Sequence, residues 1–111
     1  MTHPNRPFAV AVRSELGSGP VRGAADLSGE LDLASIGQLR DTLSALRREG
    51  YRHVVLDLSG LDFLDAAGLG ALVRADRLFR DGGATLVLTG LRPAQRRLLE
   101  ITGLDRTLLV E

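Results

Sequence analysis

Residues 53–72 read HVVLDLSGLDFLDAAGLGAL and contain a strand followed by a helix start. His53–Leu58 is a short apolar run rich in β-branched residues, which is typical of a buried parallel strand. After a tight loop at Leu61–Asp65, helical spacing returns between Gly68 and Asp81. Asp65 stands at the expected N-cap, because a carboxylate there can accept hydrogen bonds from the first helical N–H groups. The predicted buried stripe of this helix is Leu69, Leu72, Val73 and Phe79.

The segment before this unit predicts a hairpin and one more helix. Strands are expected at Phe8–Leu16 and Val21–Gly29, and GSGP at residues 17–20 is expected to form the turn between them. The next helix is predicted to be capped by Asp32 and to stop at Gly50. The apolar face of that helix is predicted to be Ile36, Leu39, Leu43 and Leu46.

The segment after this unit adds a strand, a helix and a possible edge strand. The strand is predicted at Ala84–Gly90 and the edge strand at Arg106–Val110. The helix is predicted at Pro93–Thr102, since proline suits the first turn of a helix. Gly103 follows where a left-handed C-terminal cap is expected.

The order β-β-α-β-α-β-α, with a possible last strand, predicts a single α/β domain over residues 8–111. Strands that alternate with helices favour a largely parallel sheet covered by helices. We expect a mixed sheet of four to five strands with three or more helices. Residues 1–7 are polar, contain two prolines and are predicted to form a flexible tail.

The composition disfavours several classes of function. The net charge is zero, without the basic excess usual in nucleic-acid binders, and there are no cysteines to form disulfides or thiol-based metal sites. No apolar run approaches the roughly 18 residues of a membrane span, and the N-terminus has no signal-peptide core. We therefore expect a cytoplasmic protein that inserts in no membrane and binds no nucleic acid.

Acidic residues near the strand-to-helix junctions are the candidates for chemistry. Asp32, Asp57, Asp62 and Asp65 could flank a metal ion or act in acid–base catalysis at the carboxyl edge of the sheet. The alternative, which we favour, is that they are caps, a turn former and a strand-end residue. The two histidines are far apart in the sequence, and His53 is expected to start a strand. We predict no catalytic residue, no metal site and no cofactor.

The start of the predicted second helix has almost no side-chain chemistry. Gly68 and Gly70 would keep its first turn thin, so that another protein could approach closely. Leu78 lies off the buried stripe and is accompanied by Arg74 and Arg77, an arrangement typical of a docking face. The alternative is that the glycines serve packing and Leu78 is an ordinary surface leucine. The residues alone leave both explanations open.

Four segments resemble one known family across nearly the whole chain. They are SGELD (28–32), VVLDLSGLDFLDAAGLGAL (54–72), GGATLVLTG (82–90) and LLEITGLD (98–105). They are similar to STAS domains, and more narrowly to bacterial anti-sigma factor antagonists. The resemblance implies a regulatory binding module, not an enzyme. Its partner would be an anti-sigma factor that is also a serine kinase, and binding would free the sigma factor.

In this family the kinase phosphorylates a serine at the start of the second helix, which ends the complex. Position 67 corresponds to that serine, so Ala67 implies that the phosphoacceptor is lost. No Ser, Thr, Tyr, His or Cys occurs from Gly60 to Ala84, and Ser59 is the nearest hydroxyl, expected in the loop before the helix. The predicted partner-binding residues are Asp32, Asp65, Ala66, Ala67, Gly68, Leu69, Gly70 and Arg74.

Three explanations of Ala67 stay open on the sequence. The chain could be a natural antagonist that its kinase cannot switch off, or Ala67 could be an engineered substitution that holds the unphosphorylated form. The chain could also be a STAS scaffold subunit outside sigma control, in a lipid-transport or signalling complex. Such a subunit could bind a small anionic ligand at the helix start.

Overall fold

The computed structural model describes residues 7–15 and 22–111, which form one α/β domain with a five-stranded sheet and three helices. The strands are β1 (Ala9–Glu15), β2 (Arg22–Leu31), β3 (His53–Leu64), β4 (Thr85–Thr89) and β5 (Leu109–Val110). The helices are α1 (Ile36–Arg48), α2 (Ala66–Asp81) and α3 (Pro93–Thr102). The predicted fold class and element order are confirmed.

The sheet is mixed and its strands follow chain order, β1-β2-β3-β4-β5. β1 pairs antiparallel with β2, and every later pair is parallel. Each parallel connection contains a helix, as a parallel crossover requires. The predicted GSGP turn, and residues 1–6 of the predicted tail, lie outside the described residues.

The core lies between one face of the sheet and the helices. Alternate residues of β3 and β4 point into it, including Val54, Leu56 and Leu88, and the helices contribute Leu43 and Phe79. All five side chains are fully buried or nearly so. Parallel strands covered by helices are expected to be apolar in this way. Val73 is only partly buried, and the other three residues predicted for the α2 stripe lie in the core.

β3 is twice as long as predicted, because two irregularities keep it paired with β2. The register shifts by one extra β3 residue between the pairs Asp26↔Asp57 and Ser28↔Gly60. A second shift precedes the pair Glu30↔Phe63. Bulges of this kind absorb an extra residue and let pairing resume beyond it.

The longer strand corrects four predictions. Asp57 is not a strand-end residue, Ser59 is not in a loop and Asp62 is not a turn former, because all three lie within β3. The segment Leu61–Asp65 is likewise not a loop, since its first four residues belong to the strand. Polar residues at these positions concealed the continuation of β3.

The predicted cap of α1 is also wrong. The N-cap is Ser35, and Asp32 instead heads the turn that precedes the helix. The Oδ1 atom of Asp32 accepts hydrogen bonds from the backbone N–H groups of Ala34 (3.0 Å) and Ser35 (3.2 Å). Aspartate commonly bonds to its own following backbone in this way. The predicted stop is confirmed, because Gly50 follows the helix with a positive φ of 96°.

The C-terminal third agrees closely with the sequence patterns. α3 has the predicted bounds, starts at Pro93 and is followed by Gly103 with φ 76°. The edge strand is shorter than predicted, because a 3-10 turn occupies Leu104–Arg106. No helix within residues 7–15 and 22–111 is long and apolar enough to cross a bilayer.

Candidate partner-binding surface

Two of the predicted site residues lie side by side at the carboxyl edge of the sheet. β2 and β3 end at the paired residues Leu31 and Leu64. Asp32 and Asp65 come directly after them, so the parallel pairing brings both aspartates to the same edge. Ligands and partners of open α/β sheets usually bind at this edge.

Asp65 caps α2 as predicted. Its backbone is extended, and its Oδ1 atom accepts a hydrogen bond of 2.9 Å from the backbone N–H of Gly68. The carbonyl oxygen of Asp65 accepts the first helical bond, from Leu69, at 2.9 Å. The carboxylate thus accepts a hydrogen bond from one of the free N–H groups of the first turn. Its negative charge also interacts favourably with the positive end of the helix dipole.

Gly68 and Leu69 lie beneath the surface. Leu69 is 3% exposed and belongs to the core. A Cβ atom added at Gly68 would lie 2.8 Å from the Cδ1 atom of Leu64 and 3.0 Å from the carbonyl oxygen of Leu31. Gly68 therefore serves close packing of α2 on the ends of β2 and β3. It does not hold open space for a partner.

The outward side of the same helix turns carries small side chains and one arginine. Ala66 and Arg74 are exposed, and Ala67 and Gly70 are partly exposed. A Cβ atom added at Gly70 would meet only the guanidinium of Arg74, with 3.3 Å to its nearest nitrogen. We call Ala66, Ala67, Gly70 and Arg74 the α2-start surface. It allows close approach and carries one cation.

Sequence reasoning missed two exposed apolar side chains near this surface. Leu33, next to Asp32, is 79% exposed, and Phe63, two residues before Asp65, is 47% exposed. Aromatic side chains are enriched at protein interfaces, and exposed apolar side chains that lie together mark interaction sites. Strict alternation from the buried Leu61 would have buried Phe63 as well. The second bulge of β3 moves Phe63 out of that pattern, so the sequence carried no direct signal.

Asp57 and Asp26 have hydrogen-bond or ion-pair partners of their own within the sheet. Asp57 accepts a hydrogen bond of 2.9 Å from the backbone N–H of Ser59, and Asp26 pairs with Arg13 at 2.8 Å. Hydrogen bonds from the Ser59 hydroxyl and backbone N–H lower the pKa of Asp57, and the charge of Arg13 adds to this, while desolvation opposes it. No cluster of three His, Cys, Asp or Glu that could hold a metal ion occurs among residues 7–15 and 22–111.

The lowered pKa of Asp57 predicts an acid-dependent contribution to stability. A carboxylate whose pKa falls on folding stabilises the protein above its unfolded value of 3.8, and the contribution disappears as the pH falls through the lower folded value. We expect Asp57→Asn to be less stable than the parent at pH 7, with the difference shrinking below about pH 4. Urea unfolding of the parent and the variant at pH 7 and at pH 3 measures this difference in the free energy of unfolding.

Ser59→Ala is the matched control, because it removes one of the donors to Asp57 and should reproduce part of the effect. A difference between the parent and Asp57→Asn that stayed constant from pH 7 to pH 3 would contradict the assignment.

Comparison with known proteins identifies the family. Residues 16–111 match a family model described as "Mlab, STAS domain". The chain belongs to the STAS-domain family. The resemblance seen in the sequence is thereby confirmed, and the fold of this STAS domain is the one that the family leads us to expect.

Relatives of this STAS domain are named for antagonism of anti-sigma factors. It is 31% identical over 78 residues to the anti-sigma-B factor antagonist of Staphylococcus aureus, covering 70% of this chain and 72% of that protein. It is 34% identical over 79 residues to the anti-sigma F factor antagonist of Paenibacillus polymyxa, covering 70% and 68%.

A solved structure leads to the same group. The anti-sigma factor antagonist from Mycobacterium paratuberculosis superposes with a TM-score of 0.75 and 25% identity, covering 96% of this chain and 89% of that one. All three of these relatives are named as antagonists of anti-sigma factors.

Proposed function

We propose that this STAS domain is an anti-sigma factor antagonist that binds an anti-sigma factor of the serine-kinase type and so releases a sigma factor. The observation that carries the proposal is the α2-start surface at the carboxyl edge of the sheet. It combines a capped helix start with small side chains and one arginine. The relatives named as antagonists support the same role.

The surface suits docking of a folded protein. Ala66 and Ala67 let a partner approach the helix closely, since neither projects beyond a methyl group. At Gly70 the flexible guanidinium of Arg74 would have to move aside. Leu33 and Phe63 supply apolar area that is exposed in the free domain, and Arg74 supplies a charged rim. Apolar centres with polar rims are the general composition of such interfaces. Binding then regulates by occupying the anti-sigma factor, and this chain performs no chemistry.

Position 67 bears on regulation. A phosphate there would add about 1.5 to 2 negative charges to a surface that docks without them. The helix start would tolerate that charge, so repulsion and desolvation at the interface would end the complex while the domain stays folded. Ala67 has no hydroxyl to modify. The nearest hydroxyl along the chain is that of Ser59, which lies within β3 and bonds to Asp57. This antagonist is therefore not switchable at position 67.

A STAS scaffold subunit outside sigma control is the second candidate function. The observation in its favour is the same missing hydroxyl, because a lipid-transport or signalling assembly would not need phosphorylation at position 67. In this alternative, the start of α2 would bind a small anionic ligand.

A pull-down with the tagged domain from lysate of the source cell, read by mass spectrometry, tests the proposal. We expect an ATP-binding anti-sigma factor to be recovered with the parent domain. We expect it to be lost with Ala66→Arg, because the larger side chain would cover the α2-start surface. Gln38→Arg is the control, because it adds the same exposed charge on α1 away from that surface. Recovery of transport or scaffold components without an anti-sigma factor would favour the second candidate.

A further inference from the structure

An apolar groove of about 260 Å³ runs between α1 and α2. Its α2 side is made by Ala71 and Ala75, whose small side chains leave the space between the helices open. Two buried leucines of α1 complete the floor, and the partly exposed Ile36 and the exposed Leu78 form the rim. The floor is already buried by the packing of the two helices, so the apolar surface that a partner would cover is the rim, above all Leu78, which is 42% exposed.

The charged residues that line the groove all have one sign. Arg40 on α1 and Arg74 on α2 are its charged lining residues, and no acid lines it. Arg74 has no ion pair within the described residues. Arg40 contacts Asp41 at 3.3 Å, with both side chains more than two thirds exposed. A pair so exposed contributes little and exchanges easily for another carboxylate.

The groove continues the α2-start surface along the helix. Ala71 and Ala75 follow Ala67 at intervals of four, so the three lie on one side of α2. Arg74 belongs to both surfaces, since its guanidinium lies over Gly70 and also lines the groove. A partner that covers the α2-start surface therefore reaches the groove one turn further on.

We propose that the groove receives an acidic amphipathic helix of the anti-sigma factor, with apolar side chains between α1 and α2 and carboxylates at Arg40 and Arg74. This inference rests on the proposed function and extends its interface to α1.

Size and hydrogen bonding favour a helix over other occupants. The groove has about 260 Å³, near the lower end of the range of about 300 to 1,000 Å³ that is usual for small-molecule sites, which is room for a few side chains of a larger partner. An extended segment would place backbone N–H and C=O groups against apolar walls that offer no partners. A helix satisfies these groups internally and presents only side chains.

Binding of the purified anti-sigma factor to two groove variants tests the inference. We expect Arg40→Glu and Leu78→Asp each to weaken binding by about tenfold or more, because each places a negative charge against the acidic helix. Arg40→Glu should also make the affinity less dependent on salt concentration. Both residues lie outside the α2-start surface, and both variants should keep the thermal midpoint of the parent.

Each variant has a matched control. Arg48→Glu makes the same change at an exposed α1 position that does not line the groove, and Ile101→Asp does so for an exposed aliphatic residue of α3. Both should bind within about twofold of the parent. If the groove variants bind as tightly as the parent while Ala66→Arg does not, the groove inference is wrong and the proposed function stands. If the parent binds no anti-sigma factor, both are overturned.

Discussion

Gly68→Leu is expected to destabilise the fold. Gly70→Leu, two residues further along the same helix, is expected to leave the fold intact. At Gly68 even a Cβ atom would lie 3.0 Å from the backbone carbonyl oxygen of Leu31, which cannot move without disturbing β2. Overpacking of this kind costs about 1 to 3 kcal/mol or more. The thermal midpoint should fall by roughly 5 to 15 °C.

Gly70→Leu should behave in the opposite way. The only atoms within 4 Å of an added Cβ belong to the guanidinium of Arg74, the end of a flexible side chain. Leucine is also a better helix former than glycine, by about 0.8 kcal/mol. We expect an unchanged or slightly higher thermal midpoint together with loss of binding to the anti-sigma factor. Calorimetric unfolding and titration of both variants measure this.

The two glycines act as controls for each other. Equal destabilisation by both substitutions would show that Gly70 also serves packing, and would remove it from the α2-start surface. Full partner binding by a folded Gly70→Leu variant would place the interface elsewhere.

Ala67→Ser is expected to restore a phosphoacceptor for the cognate kinase-type anti-sigma factor. The hydroxyl would stand in the first turn of α2 on the partly exposed side, where the kinase docks in the proposed complex. With ATP, mass spectrometry should show one phosphate on the variant and none on the parent. A charge left unpaired in an interface costs about 2 to 5 kcal/mol, so affinity should fall by about 30-fold or more after modification.

Ala66→Ser is the control for this experiment. It places the same hydroxyl one residue earlier, on an exposed position of the same turn. Phosphorylation of the parent to the same extent as Ala67→Ser would show that another residue is the acceptor. Modification of Ala66→Ser alone would move the acceptor position by one residue.

Local signals in the sequence were enough wherever a feature depends on its chain neighbours. Asp65 caps α2 through a hydrogen bond to Gly68, three residues on, and Gly103 ends α3 through its own φ of 76°. The period of the apolar residues identified the helices and the alternating α/β order, because each helix must bury one stripe. The STAS resemblance rested on the same segments and was confirmed.

Only the tertiary structure decided features that depend on residues far apart in the chain. The bulges of β3 arise from its pairing with β2, and they alone extend the strand to Leu64 and expose Phe63. Gly68 and Gly70 are alike in sequence, yet packing against Leu31 and Leu64 makes one of them interior. The groove between α1 and α2 likewise exists only once the two helices pack. The sequence by itself determined the order of the elements and the aspartate that caps α2. The fold decided which residues at that start face a partner, because burial depends on contacts that no local pattern encodes.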